Sequence, residues 1–266
     1  MTRKHLIYTL SAILLLSFST CRKRDRHRNR DIPEQKIPDT VILEEDEYDP
    51  IVIEETEREL PTPPKIQYRV TQHSNYTQEE FFRSYNLSAE MQELILSCDY
   101  KDKLVRNTAV ALAGHSPGEF NLGQICDIFD YCYANWKYVS DPVTGDYFSS
   151  ASETLVNNLG GDCDDFAILV CSLILSIGGE ARINFAYGDN AAHAFTEVNI
   201  GYTDKEKIAN YLYARYGTEI SLWEHKDNQG NYWLNLDWQA QHPGGKYWKY
   251  NHGTSFYIIQ NYCERL

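Results

Sequence analysis

One stretch of twenty residues, GGDCDDFAILVCSLILSIGG at 160–179, limits what this chain can fold into more than any other. Past its acidic start, Phe166, Ala167, Ile168, Leu169, Val170, Leu173, Ile174, Leu175 and Ile177 leave almost no polar face. A helix that is apolar all round has to be enclosed, so other elements must wrap it on every side. Gly178 and Gly179 stop it. At the other end Asp162 or Cys163 is the N-cap. Asp162, Asp164 and Asp165 then support the helix start, where negative charge complements the dipole. Cys171 lies inside the apolar run, as a packing thiol does. Cys163 stands at the mouth, where it is placed for access.

The flanking sequence supplies the enclosure. TQEEFFRSY opens with Thr77 and Glu80 at capping-box spacing, and SAEMQELILSC with Ser88 as N-cap. KDKLVRNTAVALA reads as a third helix. NLGQICDIFDYCYANWKYV sets Leu122, Ile125, Cys126, Phe129, Cys132, Tyr133 and Trp136 at helical spacing, which makes Cys126 and Cys132 core-face residues rather than a metal pair. Downstream, ARINFAY and HAFTEVNI read as strands, the second alternating His193, Phe195, Glu197 and Asn199 against Ala194, Thr196, Val198 and Ile200. DKEKIANYLYARYG is an inserted helix, DNQG a turn, and NYWLNLDW and TSFYIIQNY two more strands. Helices first and an antiparallel sheet after them predict an α+β domain over 71–266, its central helix buried against the sheet.

The first 70 residues read differently. MTRKHLIYTLSAILLLSFSTC has a basic start and an apolar run shorter than the roughly 20 residues of a membrane span, the shape of a signal peptide over 1–21. Its end, FSTC, resembles the lipobox of bacterial lipoproteins. That resemblance implies a lipid anchor at Cys21 and a place in the bacterial cell envelope. Arg22, where an inner-membrane lipoprotein has Asp, implies the outer membrane. From 22 to 70 a basic block, RKRDRHRNRD, precedes an acidic one, and no packing period runs through either, which predicts a disordered charged tether. The formal net charge of -13 argues against nucleic acid as the partner.

The mouth of the apolar helix suits nucleophilic chemistry. Unpaired N–H groups there favour a thiolate and can hold a developing oxyanion. The three acids oppose the first effect, since nearby carboxylates raise a thiol pKa. Among eight histidines, His193 begins a strand after a GDNAA turn and is the candidate base. Asp237, near the end of LNLDW, is the candidate that orients the imidazole, with Asn235 as the fallback. A metal site built from Cys163, an Asp and His193 is an alternative, but its ligand spacing does not fit one. The aromatic segment with Trp233, Trp238, Tyr247 and Trp248 reads either as sheet packing or as a substrate rim.

These residues together resemble the transglutaminase-like domain, a papain-related family, over about 119–238. Gly161, Cys163, Asp165 and Ala167 match its helix start, His193, Ala194, Phe195, Glu197 and Val198 its H-A-aromatic-x-E-V strand, and Asp237 its later acid. The 44 positions between His193 and Asp237 are more than is common there, owing to the inserted helix and turn. The resemblance implies acyl transfer on a peptide or protein substrate: Cys163 attacks, His193 moves the proton, Asp237 orients the ring, and no cofactor is needed. Hydrolysis is favoured over amine transfer, and a binding module without turnover is the reading of a different class. Tyr147 and Asn157 are the candidates for a second oxyanion donor beside the Cys163 N–H.

Overall fold

The computed structural model describes residues 60–71, 74–142, 145–217 and 222–266. The expected signal peptide, Cys21 and most of the tether lie outside the described residues. Four helices come first: α1 (Gln78–Ser84), α2 (Ala89–Ser97), α3 (Lys103–Ala113) and α4 (Leu122–Asn135). Thr77 and Glu80 complete the capping box of α1, and Ser88 caps α2 through the Met91 N–H. Two-residue strands β1 (Lys137–Tyr138) and β2 (Gly160–Gly161) then pair in parallel, flanking the short helix α5 (Ala151–Val156). The helix α6 (Cys163–Ser176) follows at once.

Six strands form the antiparallel sheet: β3 (Ala181–Tyr187), β4 (Ala192–Gly201), β5 (Glu224–Lys226), β6 (Tyr232–Asn235), β7 (His252–Tyr257) and β8 (Tyr262–Arg265). Their order is β5-β6-β4-β3-β7-β8. Helix α7 (Lys205–Tyr216), inserted after β4, is pinned to α4 by Arg215, whose guanidinium reaches Asp127 and Asp130 at 2.8 and 2.6 Å.

Helix α6 lies on β3 and β4, with α3, α4 and α5 on its other side. Twelve of its residues are buried, as its missing polar face requires. Each large aliphatic side chain so enclosed contributes about 1.5–3 kcal/mol by leaving water. Asp162 is the N-cap and Asp165 answers it in a capping box, so the acids of the motif hold the helix start. Gly161 is there for space: a Cβ on it would lie 2.2 Å from Asp165 Oδ2.

The folded chain starts before the expected boundary at 71. Ile66 is buried in the core, its N–H bonded to the Phe120 carbonyl, and Gln67 runs beside Gly201. Backbone pairing, not an apolar period, brings this segment in. Gly201 has φ +59, and Gln67 O would lie 2.1 Å from any Cβ there. Among the described residues no helix is long and apolar enough to cross a membrane.

Candidate active site

Strand β4 is central, buried on both faces. Thr196 donates its hydroxyl to the Ala167 carbonyl at 2.7 Å, so Ala194, Thr196, Val198 and Ile200 face α6. His193, Phe195, Glu197 and Asn199 take the opposite face. The Thr196 carbonyl accepts from Leu236 N–H at 2.9 Å, which turns that edge of β4 toward β6. Two residues back, the Ala194 N–H points the same way, but β6 has already ended at Asn235. The vacated edge receives α6: the Ala194 N–H donates to the Cys163 sulfur. Cys163 and the residue after His193 are thereby in contact.

Asp237 stands where the chain leaves the sheet. It N-caps the short 3-10 helix Trp238–Ala240, accepting from Gln239 N–H at 3.0 Å with Oδ1. Its Oδ2 lies 2.8 Å from His193 Nε2. Both side chains are buried, His193 to 4% exposure and Asp237 to 1%. Asn235 backs the acid: its Oδ1 accepts from Asp237 N–H at 3.0 Å, and its amide donates to the Gly245 carbonyl. With Nε2 engaged by the carboxylate, Nδ1 is the ring nitrogen left for other work.

Electrostatics at the mouth run against a free thiolate. Cys163 is only partly exposed, and burial, then the charges of Asp164 and Asp162, push its thiol well above the ordinary range. The Ala194 N–H opposes this, and Asp237, close enough to be felt, adds to it. Asp164 is pushed up to about 10 by burial and by its hydrogen bond with Asp162, so Asp164 keeps its proton at neutral pH. Asp165 rises to about 6 through burial, held back by the Ser149 and Asp162 N–H groups it accepts from. Ligand atoms of Asp162, Cys163 and Asp164 fall within 4.8 Å of one another, a grouping that does not include His193.

Tyr147 is half exposed and its hydroxyl donates to Glu153 at 2.9 Å; Asn157 ends α5, exposed. The aromatic segment divides between its two readings. Trp233 is fully buried under Arg182 and Tyr257, whereas Trp248 lies over His193 with ring centroids 5.3 Å apart, and Trp238 packs on the exposed Tyr138 at 5.5 Å. The thiols Cys98, Cys126, Cys132, Cys171 and Cys263 are all free and buried. Sequence reasoning named Trp248 only within a candidate substrate rim and Glu197 only as a match to the motif of the His193 strand, and gave neither a role toward His193. The signal for Glu197 was its place in the His193 strand.

The α+β fold sets a thiol at the mouth of an enclosed helix, against a strand carrying a carboxylate-bound histidine. Residues 108–237 match the family model described as the Transglutaminase-like superfamily, and the chain carries a domain of that superfamily there. Among solved structures, a Cytophaga hutchinsonii protein named "Putative Cysteine Protease" is 18% identical, with a TM-score of 0.35 over 58% of this chain and 44% of its own. The chain thus spans less than half of that protein's length. Legionella pneumophila LapG, EGTA-treated, is 17% identical with a TM-score of 0.37 over 68% of this chain and 86% of its own. Its calcium-bound form is 19% identical, TM-score 0.33, over 61% and 73%. No curated protein matches the chain.

Proposed function

We propose that the protein is a cysteine-dependent acyl-transfer enzyme of the bacterial cell envelope that hydrolyses peptide or amide bonds. Cys163 is its nucleophile, His193 its base and acid, and Asp237 the group that orients the imidazole. The supporting observation is the buried 2.8 Å contact of His193 Nε2 with Asp237, one residue from the N–H that bonds the Cys163 sulfur.

Because the resting thiol is held protonated, His193 acts as a base during attack rather than in a preformed ion pair. The sulfur adds to the amide carbonyl carbon as Nδ1 takes the thiol proton. The tetrahedral oxyanion rests on the Cys163 N–H, since the carboxylate caps are spent on the N–H groups of Asp162, Asp164 and Ser149. Nδ1 then gives its proton to the leaving nitrogen, the C–N bond breaks and a thioester remains. Water repeats the sequence: Nδ1 takes its proton, the oxygen adds to the thioester carbon, and the C–S bond breaks to return the thiol. Asp237 stabilises the imidazolium at both stages.

Alkylation by iodoacetamide, mapped on each cysteine with and without His193→Ala, together with hydrolysis of a peptide library, tests this reading. Cys163 should outpace the five buried thiols, and His193→Ala should lower hydrolysis by roughly a hundredfold or more. A Cys163 that reacts no faster than the others, with no response to His193→Ala, leaves a binding module instead. The lipid anchor at Cys21 is tested separately. Cys21→Ser should abolish fatty-acid labelling and release the protein from the outer-membrane fraction; unchanged fractionation refutes the anchor.

A further inference from the structure

The strand HAFTEV carries an acid that the triad does not use. Glu197 is fully buried, directly across from Arg182 in the β3 pairing, and its Oε2 accepts from Arg182 Nε and Nη2 and from Asn184 Nδ2, each at 2.8 Å. Those bonds already compensate the charge. Oε1 does something else: it takes the Tyr247 hydroxyl and sits 2.5 Å from His225 Nδ1, both from outside the strand.

Tyr247 and Tyr250 bracket Trp248. The Tyr247 ring stacks on His225 with centroids 4.3 Å apart at 12°, and the Tyr250 hydroxyl lies 2.7 Å from His225 Nε2. Phe195 supports both tyrosines at 5.5 and 6.2 Å, and its own ring stacks 6.1 Å from His193. One face of β4 therefore reads His193, Phe195, Glu197, and the segment 247–250 is tied down at the Glu197 end while Trp248 covers the imidazole. Gly188 makes room for that indole: a Cβ there would lie 2.8 Å from Trp248 Cη2.

We propose that Glu197 is a positioning residue for His193, acting through Tyr247, His225 and Tyr250 to hold Trp248 against the imidazole. An imidazole fixed at Nε2 alone can swing about that one hydrogen bond. A tilted ring packed against it removes this freedom, keeping the proton on Nε2 and Nδ1 free. The consequence for catalysis rests on the reading of His193 as the base.

The test uses the full chain with nitrogen-15-labelled histidine, reading the His193 tautomer by NMR, alongside the pH profile of Cys163 alkylation. Tyr247→Phe keeps the stacked ring and loses the bond to Glu197; Trp248→Leu removes the cover. Both should change a pure Nε2–H tautomer into a mixture. The His193-dependent part of the alkylation rate should fall roughly tenfold, with the melting temperature nearly unchanged. Glu197→Gln should change the tautomer and the alkylation rate in the same way where it folds, but it lowers the melting temperature by leaving Arg182 unpaired, so Tyr247→Phe decides. Parent-like tautomer and parent-like profile in both variants overturn the proposal. If His193→Ala leaves Cys163 alkylation untouched, the catalytic reading fails, and the tautomer alone decides: a mixture supports the positioning role and a pure Nε2–H form overturns it.

Discussion

Asp237 holds His193 with one carboxylate oxygen and a helix start with the other: Oδ2 lies 2.8 Å from Nε2, and Oδ1 accepts from Gln239 N–H at 3.0 Å. The two functions separate on substitution. Asp237→Asn retains an oxygen for the cap but weakens the hold on the imidazolium and permits the wrong tautomer. Hydrolysis should fall by about 10²–10⁴ with little change in melting temperature. Asp237→Ala should lose the same activity and a further ~1 kcal/mol of stability from the cap. Peptide hydrolysis and thermal unfolding of both variants check this, and equal melting temperatures for the two would refute the capping role.

Asp164 sets a pH dependence of stability with a definite sign. Its folded pKa of about 10 stands far above the roughly 3.9 of an unfolded aspartate, so the folded state keeps a proton that the unfolded chain releases. Stability from this group is complete below about pH 4 and declines as pH rises toward 10. Asp165, at about 6, adds to the decline between about pH 4 and 6. The melting temperature should therefore drop from about pH 5 to about 9, and Asp164→Asn should flatten that slope.

Glu197 works in the opposite direction. Arg182, His225 and Tyr247 overcome its burial and hold its carboxyl down at about 2, against roughly 4.3 unfolded. Its contribution is complete above about pH 4 and lost as pH falls toward 2. Combined with the two aspartates, this places the stability maximum near pH 4, with an acid unfolding limb below it. Glu197→Gln, which leaves Arg182 buried without its partner, should cost about 3–5 kcal/mol at neutral pH. Denaturant titrations at several pH values measure both effects.

Much of this arrangement was legible in the sequence because it is local. The capping box at Thr77, the cap at the start of α6, the glycine stop after Ile177, the apolar α6 and the alternation of β4 all depend on residues within a turn or two. What was missed depends on distant partners. The segment around Ile66 joins the fold by backbone pairing to residues near 120 and 201, which no apolar period announces. Strands β5 and β8 are edge strands of three and four residues, too short to show alternation. Glu197 was legible as a position of the strand motif but not by its partners, since only the crossing of β3, β5 and the 247–250 segment gives it Arg182, His225 and Tyr247. The conflict at Cys163 was visible in DCDD, but its outcome depended on how far the fold buries the Cys163 sulfur itself.

That outcome gives the last prediction. Burial and the charges of Asp164 and Asp162 push the Cys163 thiol up, while the Ala194 N–H pulls it down without winning. The alkylation rate of Cys163 should therefore keep rising through alkaline pH, past the midpoint of an ordinary thiol near 8.5, instead of levelling off below it. Asp162→Asn removes a charge beside the sulfur, which should shift the rate–pH curve to lower pH; it also removes one of the causes that raise the Asp164 pKa, so Asp164 ionises more readily and offsets part of that shift. The sign is informative because a helix N-terminus alone would have produced a low-lying thiolate. A curve already level at neutral pH, unaffected by Asp162→Asn, would mean that the helix N-terminus and His193 outweigh the carboxylates and that the resting enzyme holds an ion pair.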